Sequence, residues 1–475
     1  MSKDFPAVQT PRLEPGSLAE EAIAIWSAAV GAVRGDTAVR EAIEWNGREL
    51  AVFDEPFPLG SDGRIVVVGA GKAAPSMAQG LAEVVGRVDG WLNVPGDSID
   101  QLPGGGIHLH ASRPHGINLP TQRAVDGTRE IRRLLQSSRP QDLVLVLLSG
   151  GGSSLLVEPI EGLGLSQKVA ITQALSESGA TIHELNAVRR CLSTVKGGGL
   201  LRGCASKQEI ALVISDVLDN DLSVIASGPT VACEDPEAAA KNAQSVLTRL
   251  LPHRKHLLAT ADLAIDHWLR RSQGSRRDGG ARSCSNYVLA NNATAVDAAG
   301  TEAVRRGWNY FMMSHRTSEG DAADVGREMA NLLIEARKSN GDHGVDCWIF
   351  GGEPTVDLRG AEHRRRGSGG RNQHLVAAAA DALLRAGDDA LEGSEFCLLS
   401  AGTDGEDGTS SVAGAWLDNE VLRRLRQRPG AVAEALASFD SHTLCRGVDA
   451  TLDCGPTGTN VCDVRILLRR PASPA

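Results

Sequence analysis

The chain has 475 residues, 42% of them apolar and 23% charged, with a formal net charge of −10. This length predicts two domains, because single hydrophobic cores stop growing at roughly 250–300 residues. The acidic balance argues against a nucleic-acid-binding protein, which would need a basic face. The longest apolar runs are about six residues, whereas a membrane-spanning helix needs roughly twenty, so no span is predicted.

The cysteines and the first residues predict a cytoplasmic protein. Nine cysteines are scattered along the chain, and none has C-x-x-C spacing. This usage fits a reducing compartment and predicts neither a disulfide framework nor a zinc site. Residues 1–16 lack the apolar segment of a signal peptide.

The first half of the chain alternates between predicted helices and short apolar strands. We predict strands at 65–68, 91–94, 143–148 and 210–214, and helices at 22–33, 73–85, 121–135, 181–195 and over 235–270. Capping boxes at 17–20 and 181–184 open the first and fourth of these helices, and Gly35 is expected to stop the first. Strands that alternate with helices predict a parallel sheet covered on both faces.

A polar, glycine-rich segment at 272–285 is the predicted linker, and the alternation resumes after it. We predict further strands at 287–290, 309–313, 347–350, 396–400 and 464–468, and helices at 293–306, 321–337 and 373–385. The expected architecture is therefore two α/β domains with mainly parallel sheets, an N-terminal domain over 1–275 and a C-terminal domain over 286–475.

Two glycine-rich turns follow predicted strands. Gly69, Gly71 and Lys72 nearly match the dinucleotide-binding pattern G-x-G-x-x-G/A, although a tight strand-to-helix turn explains an isolated match equally well. A lysine at a helix N-terminus opposes the helix dipole unless an anion lies nearby. The second turn offers small residues and bare backbone N–H groups to a phosphate, with close helix–strand packing as the alternative; it consists of Ser149, Gly150, Gly151, Gly152, Ser153 and Ser154.

A predicted helix carries Asn186 and Arg189 on one face and leads to Lys196 beside three glycines. These residues are candidates for binding an anionic substrate or phosphate, and a solvated polar face is the alternative. Only eight of the 49 basic residues are lysines, which draws attention to Lys72 and Lys196. An ammonium group is a compact point charge that arginine does not replace.

Acidic turns after three other strands are candidate magnesium sites. Asp216, Glu353, Asp404 and Asp407 lie in them, at the strand ends where metal–nucleotide sites occur in α/β sheets. The alternative is that these carboxylates only stabilise turns. Arg371 follows two glycines at the start of a helix, where a guanidinium binds a carboxylate or a phosphoryl group through two parallel hydrogen bonds.

Eight segments, taken together and in order, resemble the class II glycerate 2-kinase family, whose C-terminal half is the MOFRL domain. They are VVVGAGKAA (66–74), LLSGGGSSLL (147–156), HELNAVRRCLSTVKGGGL (183–200), ISDVLDNDLSVIASGPT (214–230), GGEPTV (351–356), GGRNQ (369–373), SAGTDGEDG (400–408) and GPTGTN (455–460). The resemblance implies ATP- and Mg²⁺-dependent phosphorylation of D-glycerate at its 2-hydroxyl. It also implies an active site in the cleft between two α/β domains, with Lys72 and Arg371 as essential residues. Whether the protein forms a homodimer is not decided by the sequence.

The expected roles follow from phosphoryl-transfer chemistry. The turn 149–154, with Gly69, Gly71 and Lys196, would bind phosphates, and Lys72 would neutralise charge on the transferred group. Asp216 and Asp404, with Asp407 or Glu353, would hold Mg²⁺. Asn186 and Arg189 would bind substrate, and Arg371 would bind either the glycerate carboxylate or the γ-phosphoryl group.

Two other functions remain open at this point. Some members of the family are labelled hydroxypyruvate reductases, and the turn at Gly69 would then hold NAD(P)H. That function requires an acidic residue at the end of the second strand, but Asp89 precedes the strand predicted at 91–94 and Asp97 follows Pro95 and Gly96. A nucleotide sensor without catalysis would keep the glycine turns but would not need Arg371.

Overall fold

The computed structural model describes residues 13–96, 106–114, 119–277, 284–338, 344–358 and 367–471. Its helices are α1 (Leu18–Ala32), α2 (Gly35–Ala42), α3 (Ala74–Val85), α4 (Gln122–Gln136), α5 (Gly152–Leu155), α6 (Leu165–Glu177), α7 (Ile182–Cys191), α8 (Pro236–Leu250), α9 (Lys255–Arg277), α10 (Asn292–Arg305), α11 (Ala322–Lys338), α12 (Arg371–Ala386), α13 (Asn419–Arg426), α14 (Ala431–Ser438) and α15 (Ser441–Arg446). Its strands are β1 (Ile43–Trp45), β2 (Glu49–Val52), β3 (Glu55–Pro58), β4 (Ile65–Ala70), β5 (Asp89–Pro95), β6 (Ile107–Arg113), β7 (Leu143–Leu148), β8 (Gln208–Ile214), β9 (Ser285–Ala290), β10 (Tyr310–Ser314), β11 (Cys347–Gly352), β12 (Ser394–Gly402), β13 (Gly414–Asp418), β14 (Thr451–Leu452) and β15 (Asp463–Pro471).

The chain forms two compact units whose boundaries differ from the predicted division. A central unit spans 35–289, and a split unit combines residues up to 34 with those from 290 onward. The N-terminal helix α1 groups with the C-terminal half because it packs on α10, β12 and β15 and buries Ile25, Trp26 and Ala29 completely. Strand β9, expected to open the second domain, instead extends the sheet of the central unit.

The sheet of the central unit is parallel, as the sequence predicts. Its order is β6-β5-β4-β7-β8-β9, and the pairs from β6 to β8 are parallel, with Ile65 opposite Leu143 in the β4–β7 pair. Every residue of β4 and of β7 is buried, which is expected when both faces of a parallel sheet are covered. Strand β6 is not predicted by the sequence.

The strand order reverses between β4 and β7. From β4 the chain moves outward through β5 to β6, and it then returns to β7 on the other side of β4 and continues to β8. In open α/β sheets such a reversal leaves a crevice beyond the carboxyl ends of the two strands, where ligands bind. The two glycine-rich turns predicted from sequence follow these two strands.

Helices form a second core beside this sheet. α6, α7, α8 and α9 bury an apolar cluster of their own. The capping box predicted at 181–184 is present, since Thr181 and Glu184 exchange side-chain and backbone hydrogen bonds. Helix α7 ends at Cys191, four residues earlier than predicted.

The split unit contains a mixed sheet, which corrects the expectation of mainly parallel strands there. Its order is β10-β11-β15-β12-β13-β14. Only the β10–β11 pair is parallel among the pairs described, and the others are antiparallel. The last strand, β15, lies between β11 and β12 and runs opposite to both. Because no helix separates β12 from β13, these strands pair antiparallel.

Two predicted boundaries are wrong at the level of single elements. Gly35 does not stop a helix; it begins α2, where a Cβ atom would lie 2.6 Å from the Met77 nitrogen. The predicted linker at 272–285 is partly regular, because α9 continues to Arg277 and β9 begins at Ser285. Its remaining positions, 278–283, lie outside the described residues. Within the described part of the chain, no helix is both long and apolar enough to cross a membrane.

Candidate functional site

Three hydrogen bonds join the turn after β4 to the turn after β7. Ser149 donates its backbone N–H to the Ala70 carbonyl (3.2 Å), and Lys72 donates its own to the Gly150 carbonyl (2.9 Å). The Ala73 N–H donates to the Ser149 hydroxyl oxygen (2.9 Å). The structure therefore brings the backbone of Lys72 against the glycine turn at the point where the strand order reverses.

Gly69 and Gly71 allow this close approach of the two turns. A Cβ atom on Gly69 would lie 2.0 Å from the Leu147 carbonyl oxygen, and one on Gly71 would lie 2.0 Å from the Ser149 hydroxyl oxygen. Either contact is far inside van der Waals range. A tight strand-to-helix turn thus accounts for both glycines, whether or not a phosphate contacts them.

Gly69→Ala is therefore expected to destabilise the protein by about 1–3 kcal/mol, because the added methyl group must displace the backbone of β7. Urea-induced unfolding measures this loss. Gly31→Ala is the matched control, since a Cβ atom there meets nothing within 4 Å; in helix α1 it should be neutral or stabilise by up to ~1 kcal/mol. Equal stability of the two variants would contradict the close approach at Gly69.

The glycine turn presents backbone donors next to two cationic residues. Among the described residues, no acceptor takes the N–H of Gly150 or of Gly151, whereas buried backbone donors are normally paired. Gly151 has a positive φ of 81°, and a Cβ atom on it would lie 3.7 Å from Lys72 Cγ and 3.2 Å from Arg113 Nη2. Arg113 ends the unpredicted strand β6, so the sequence analysis missed it.

The serines beyond the glycines connect the turn to Asn186. Ser153 Oγ lies 3.1 Å from Ser227 Oγ, and Ser227 Oγ donates to Asn186 Oδ1 (2.9 Å). Ser154 Oγ donates to the Gly151 carbonyl (3.1 Å). Asn186 is buried, so it reaches the glycine turn through Ser227.

Lys196 was expected to bind phosphate, but in the structure its side chain binds backbone carbonyls. Its side chain is fully buried, and Nζ donates to the carbonyl oxygens of Ser153 (3.1 Å) and Ala226 (3.0 Å). Ala226 and Ser227 have positive φ values of 50° and 65°, a conformation that costs a non-glycine residue roughly 1–2 kcal/mol. Lys196 thus ties the glycine turn to a strained turn through their carbonyls.

In the split unit, Arg371 is held by two carboxylates. Its Nε and Nη2 bond to the two carboxylate oxygens of Asp463 (2.5 and 3.1 Å), and Nη1 bonds to Glu353 (2.7 Å). Burial alone would lower the pKa of Arg371, but the charges of Asp463 and Glu353 raise it well above its usual range. Asp463 is fully buried, and nothing in the sequence singled it out.

Asp407, expected as a metal ligand, is a helix cap. One carboxylate oxygen accepts from the backbone and side-chain N–H groups of Asn372, and the other accepts from those of Gln373. Both oxygens are thus engaged at the first turn of α12, where the unpaired N–H groups of a helix favour a negative charge. Because Glu353 is paired with Arg371, it is also engaged.

Asp216 and Asp404 are the other two candidates for Mg²⁺. Asp216 follows β8 in the central unit, Asp404 follows β12 in the split unit, and both side chains are partly exposed. The described residues contain no group of three or more His, Cys, Asp or Glu side chains suited to hold a metal. Mg²⁺ commonly takes one or two protein carboxylates and completes its shell with substrate phosphates and water, which single carboxylates at strand ends can satisfy.

Two family models match the chain. Residues 21–257 match a domain of unknown function, DUF4147, and residues 346–463 match the MOFRL family. A protein named glycerate kinase from Mus musculus is 32% identical over 96% of this chain and 94% of its own length. A Pyrococcus horikoshii protein named glycerate 2-kinase is 30% identical over 91% of this chain and 92% of its own length.

The name of a further relative gives a different activity. A protein from Agrobacterium vitis, named putative hydroxypyruvate reductase, is 36% identical over 86% of this chain and 99% of its own length. Among solved structures, a glycerate kinase from Thermotoga maritima superimposes with a TM-score of 0.74 at 31% identity, covering 96% of this chain and all of that one. With these sequence and structural matches over nearly its whole length, the chain belongs to the glycerate kinase family with DUF4147 and MOFRL domains.

Proposed function

We propose that this protein transfers the γ-phosphoryl group of ATP to the 2-hydroxyl of D-glycerate and so forms 2-phosphoglycerate. One observation carries the proposal beyond family membership: the glycine turn with unpaired backbone donors lies beside Lys72, where the strand order of a parallel sheet reverses. Backbone N–H groups and a lysine are a recurrent combination for binding phosphates in kinases.

In the proposed mechanism the protein positions the reactants and neutralises charge. The N–H groups of Gly150 and Gly151 hold phosphate oxygens, and the Lys72 ammonium stabilises the charge that develops on the transferred group. Arg371 binds either the glycerate carboxylate or the γ-phosphoryl group. The ligand would replace Glu353, the more exposed of its two partners. Mg²⁺, when bound, neutralises phosphate oxygens, and Asp216 and Asp404 are the residues that would hold it.

The two aspartates of the turn after β12 should therefore respond differently to mutation. Asp404→Asn is expected to raise the Mg²⁺ concentration for half-maximal rate at least about tenfold. Asp407→Asn is expected to leave that concentration unchanged but to lower stability by about 1–3 kcal/mol, because two N–H donors at the start of α12 lose their charged acceptor. Mg²⁺ titrations of rate and thermal melts measure both effects, and a raised Mg²⁺ requirement in Asp407→Asn alone would reverse the assignment.

A reductase is the second candidate because one relative carries that name. The dinucleotide-binding pattern needs a carboxylate at the end of the second strand to bind the ribose. In this chain the second strand, β5, begins with Asp89 and ends with Pro95, so Asp89 lies at the wrong end. The geometry thus favours the kinase.

One pair of assays tests the proposal. Purified protein is given ATP, Mg²⁺ and D-glycerate in one arm and NAD(P)H with hydroxypyruvate in the other. Glycerate-dependent ADP formation supports the kinase. Oxidation of NAD(P)H supports the reductase, and nucleotide binding without turnover in either arm supports a sensor.

We also propose that the protein works in the cytoplasm on small molecules. All nine of its cysteines lie among the described residues and none is in a disulfide bond, and its net negative charge disfavours a nucleic-acid partner. A homodimer is compatible with this proposal, and size-exclusion chromatography with light scattering measures the mass that distinguishes it from a monomer.

A further inference from the structure

Three basic side chains of the central unit interact electrostatically and lie wholly or partly below the protein surface. Lys168 on α6 is 3% exposed, and Lys196 is 1% exposed. Arg189 on α7 is partly buried. We call Lys168, Arg189 and Lys196 the cation cluster. Neither the sequence motifs nor the proposed mechanism used Lys168.

Most of the N–H donors of the cation cluster form no hydrogen bond among the described residues. Lys168 Nζ donates to the Leu192 carbonyl (3.0 Å), and Lys196 Nζ donates to two carbonyls of the neighbouring turns. Since an ammonium group has three N–H donors and a guanidinium five, most of this capacity is unused. Within the described ranges, the Arg189 guanidinium takes part in no hydrogen bond or ion pair.

No carboxylate of the described residues forms an ion pair with the cluster. Glu158, whose backbone carbonyl accepts from Thr194, uses its carboxylate to accept from Arg132 (2.6 Å) and from the Thr194 hydroxyl (2.6 Å). The three basic groups of the cluster therefore have no carboxylate counter-charge among the described residues.

The electrostatics reflect this arrangement. Burial, together with the charge of Arg189, lowers the pKa of Lys168 to about 7. Burial and the charges of Lys168 and Arg189 hold the pKa of Lys196 well below its usual range. Uncompensated buried charge is costly to a fold, so burial favours the neutral form of both lysines in the ligand-free protein, and a bound anion would favour their protonated forms.

We propose that the cation cluster is an oxyanion site that binds the carboxylate or phosphate group of a substrate, with Arg189 as the contacting residue and Lys168 and Lys196 as the buried charges behind it. The site is continuous with the glycine turn, because Lys196 bonds to the Ser153 carbonyl. The inference rests on the proposed function for the identity of its ligands, D-glycerate and ATP. The chain uses few lysines, and two of them lie in this cluster.

Isothermal titration calorimetry on the full chain tests the site without turnover. D-Glycerate, inorganic phosphate and ATP are titrated into the wild type, Lys168→Met and the control Lys241→Met, an exposed lysine on α8. Lys168→Met should weaken the binding of at least one anion by about tenfold or more, because it removes a positive charge that stabilises the bound anion from behind Arg189. Weaker glycerate binding alone identifies a carboxylate site, and weaker phosphate or ATP binding identifies a phosphate site.

Thermal melts separate this role from a structural one. If Lys168 only supports the Leu192 carbonyl, the methionine variant should melt lower than the wild type. If it is an uncompensated charge, the ligand-free variant should melt at the same temperature or higher. Arg189→Met, which breaks no hydrogen bond of the described structure, repeats the binding test should Lys168→Met fail to fold.

The proposal fails if Lys168→Met and Arg189→Met bind all three anions with wild-type affinity. Its failure is distinct from that of the proposed function. Formation of 2-phosphoglycerate with unchanged affinities in both variants would reject only the oxyanion site. Anion binding that depends on Lys168, in a protein that forms no phosphoglycerate, would reject only the kinase.

Discussion

Replacing Lys72 with methionine is expected to lower kcat for glycerate phosphorylation at least about a thousandfold, the range seen when one cationic group is removed from a phosphoryl-transfer site. The fold should persist, because the three hydrogen bonds that join the two turns, including the one that Lys72 donates from its backbone N–H, are all kept. Methionine also keeps a long unbranched stem. Steady-state kinetics with saturating ATP and glycerate measure the effect.

The matched control for Lys72→Met is again Lys241→Met, an exchange at an exposed position. Both variants should melt within a few degrees of the wild type, since surface or partly exposed substitutions usually change stability by about 0.5 kcal/mol or less. A kcat for Lys72→Met close to that of Lys241→Met would remove Lys72 from the mechanism. Lys72→Arg is expected to stay impaired, because a guanidinium is larger and planar.

Replacing Arg371 with methionine is expected to cost about 3–5 kcal/mol of stability in addition to activity, because it leaves the buried carboxylate of Asp463 without its bidentate partner. Asp463 is fully buried, so its charge has no access to water. Urea-induced unfolding measures the loss. Arg470→Met is the control, since the exposed pair of Arg470 and Glu395 should contribute less than about 1 kcal/mol.

A double variant separates the structural role of Arg371 from its chemical role. Arg371→Met with Asp463→Asn removes both charges, so it should recover much of the stability but not the activity. If Arg371 binds the glycerate carboxylate, the residual activity should show a raised KM for glycerate. If it stabilises the γ-phosphoryl group, kcat should fall instead. Wild-type kinetics in the double variant would exclude both roles.

The parts of the fold that local sequence patterns encode were predicted well. The continuous apolar runs of β4 and β7 fit strands buried on both faces, and the structure confirms their places. The capping box at Thr181 and Glu184 correctly marks the N-cap of α7. Such a motif can be read from sequence because both of its halves lie within four positions.

The pairing of distant segments was not predictable in the same way. The position of β15 between β11 and β12 joins residues far apart in sequence, and the alternation of strands and helices carries no information about strand direction there. The assignment of α1 to the split unit depends on the same kind of contact. An amphipathic helix with an apolar face packs on whichever sheet offers a complementary surface.

In the candidate site, too, local motifs were predictable from sequence and contacts between distant residues were not. The glycine turns were visible as motifs because their backbone needs residues without side chains. Arg113, Asp463 and Lys168 were missed because none of them lies in a glycine-rich or acidic motif, and only burial next to other charged groups distinguishes them. The cap that Asp407 forms on α12 was not predicted, since a carboxylate that caps a distant helix has the same sequence signature as one that binds a metal.

The most direct test of the account is the identity of the product formed from ATP and D-glycerate, determined by phosphorus and proton NMR. The account predicts 2-phosphoglycerate, with one ADP formed for each molecule and no reaction when glycerate is omitted. A product phosphorylated at the 3-hydroxyl, or the absence of any phosphoglycerate from folded protein supplied with Mg²⁺, would contradict it.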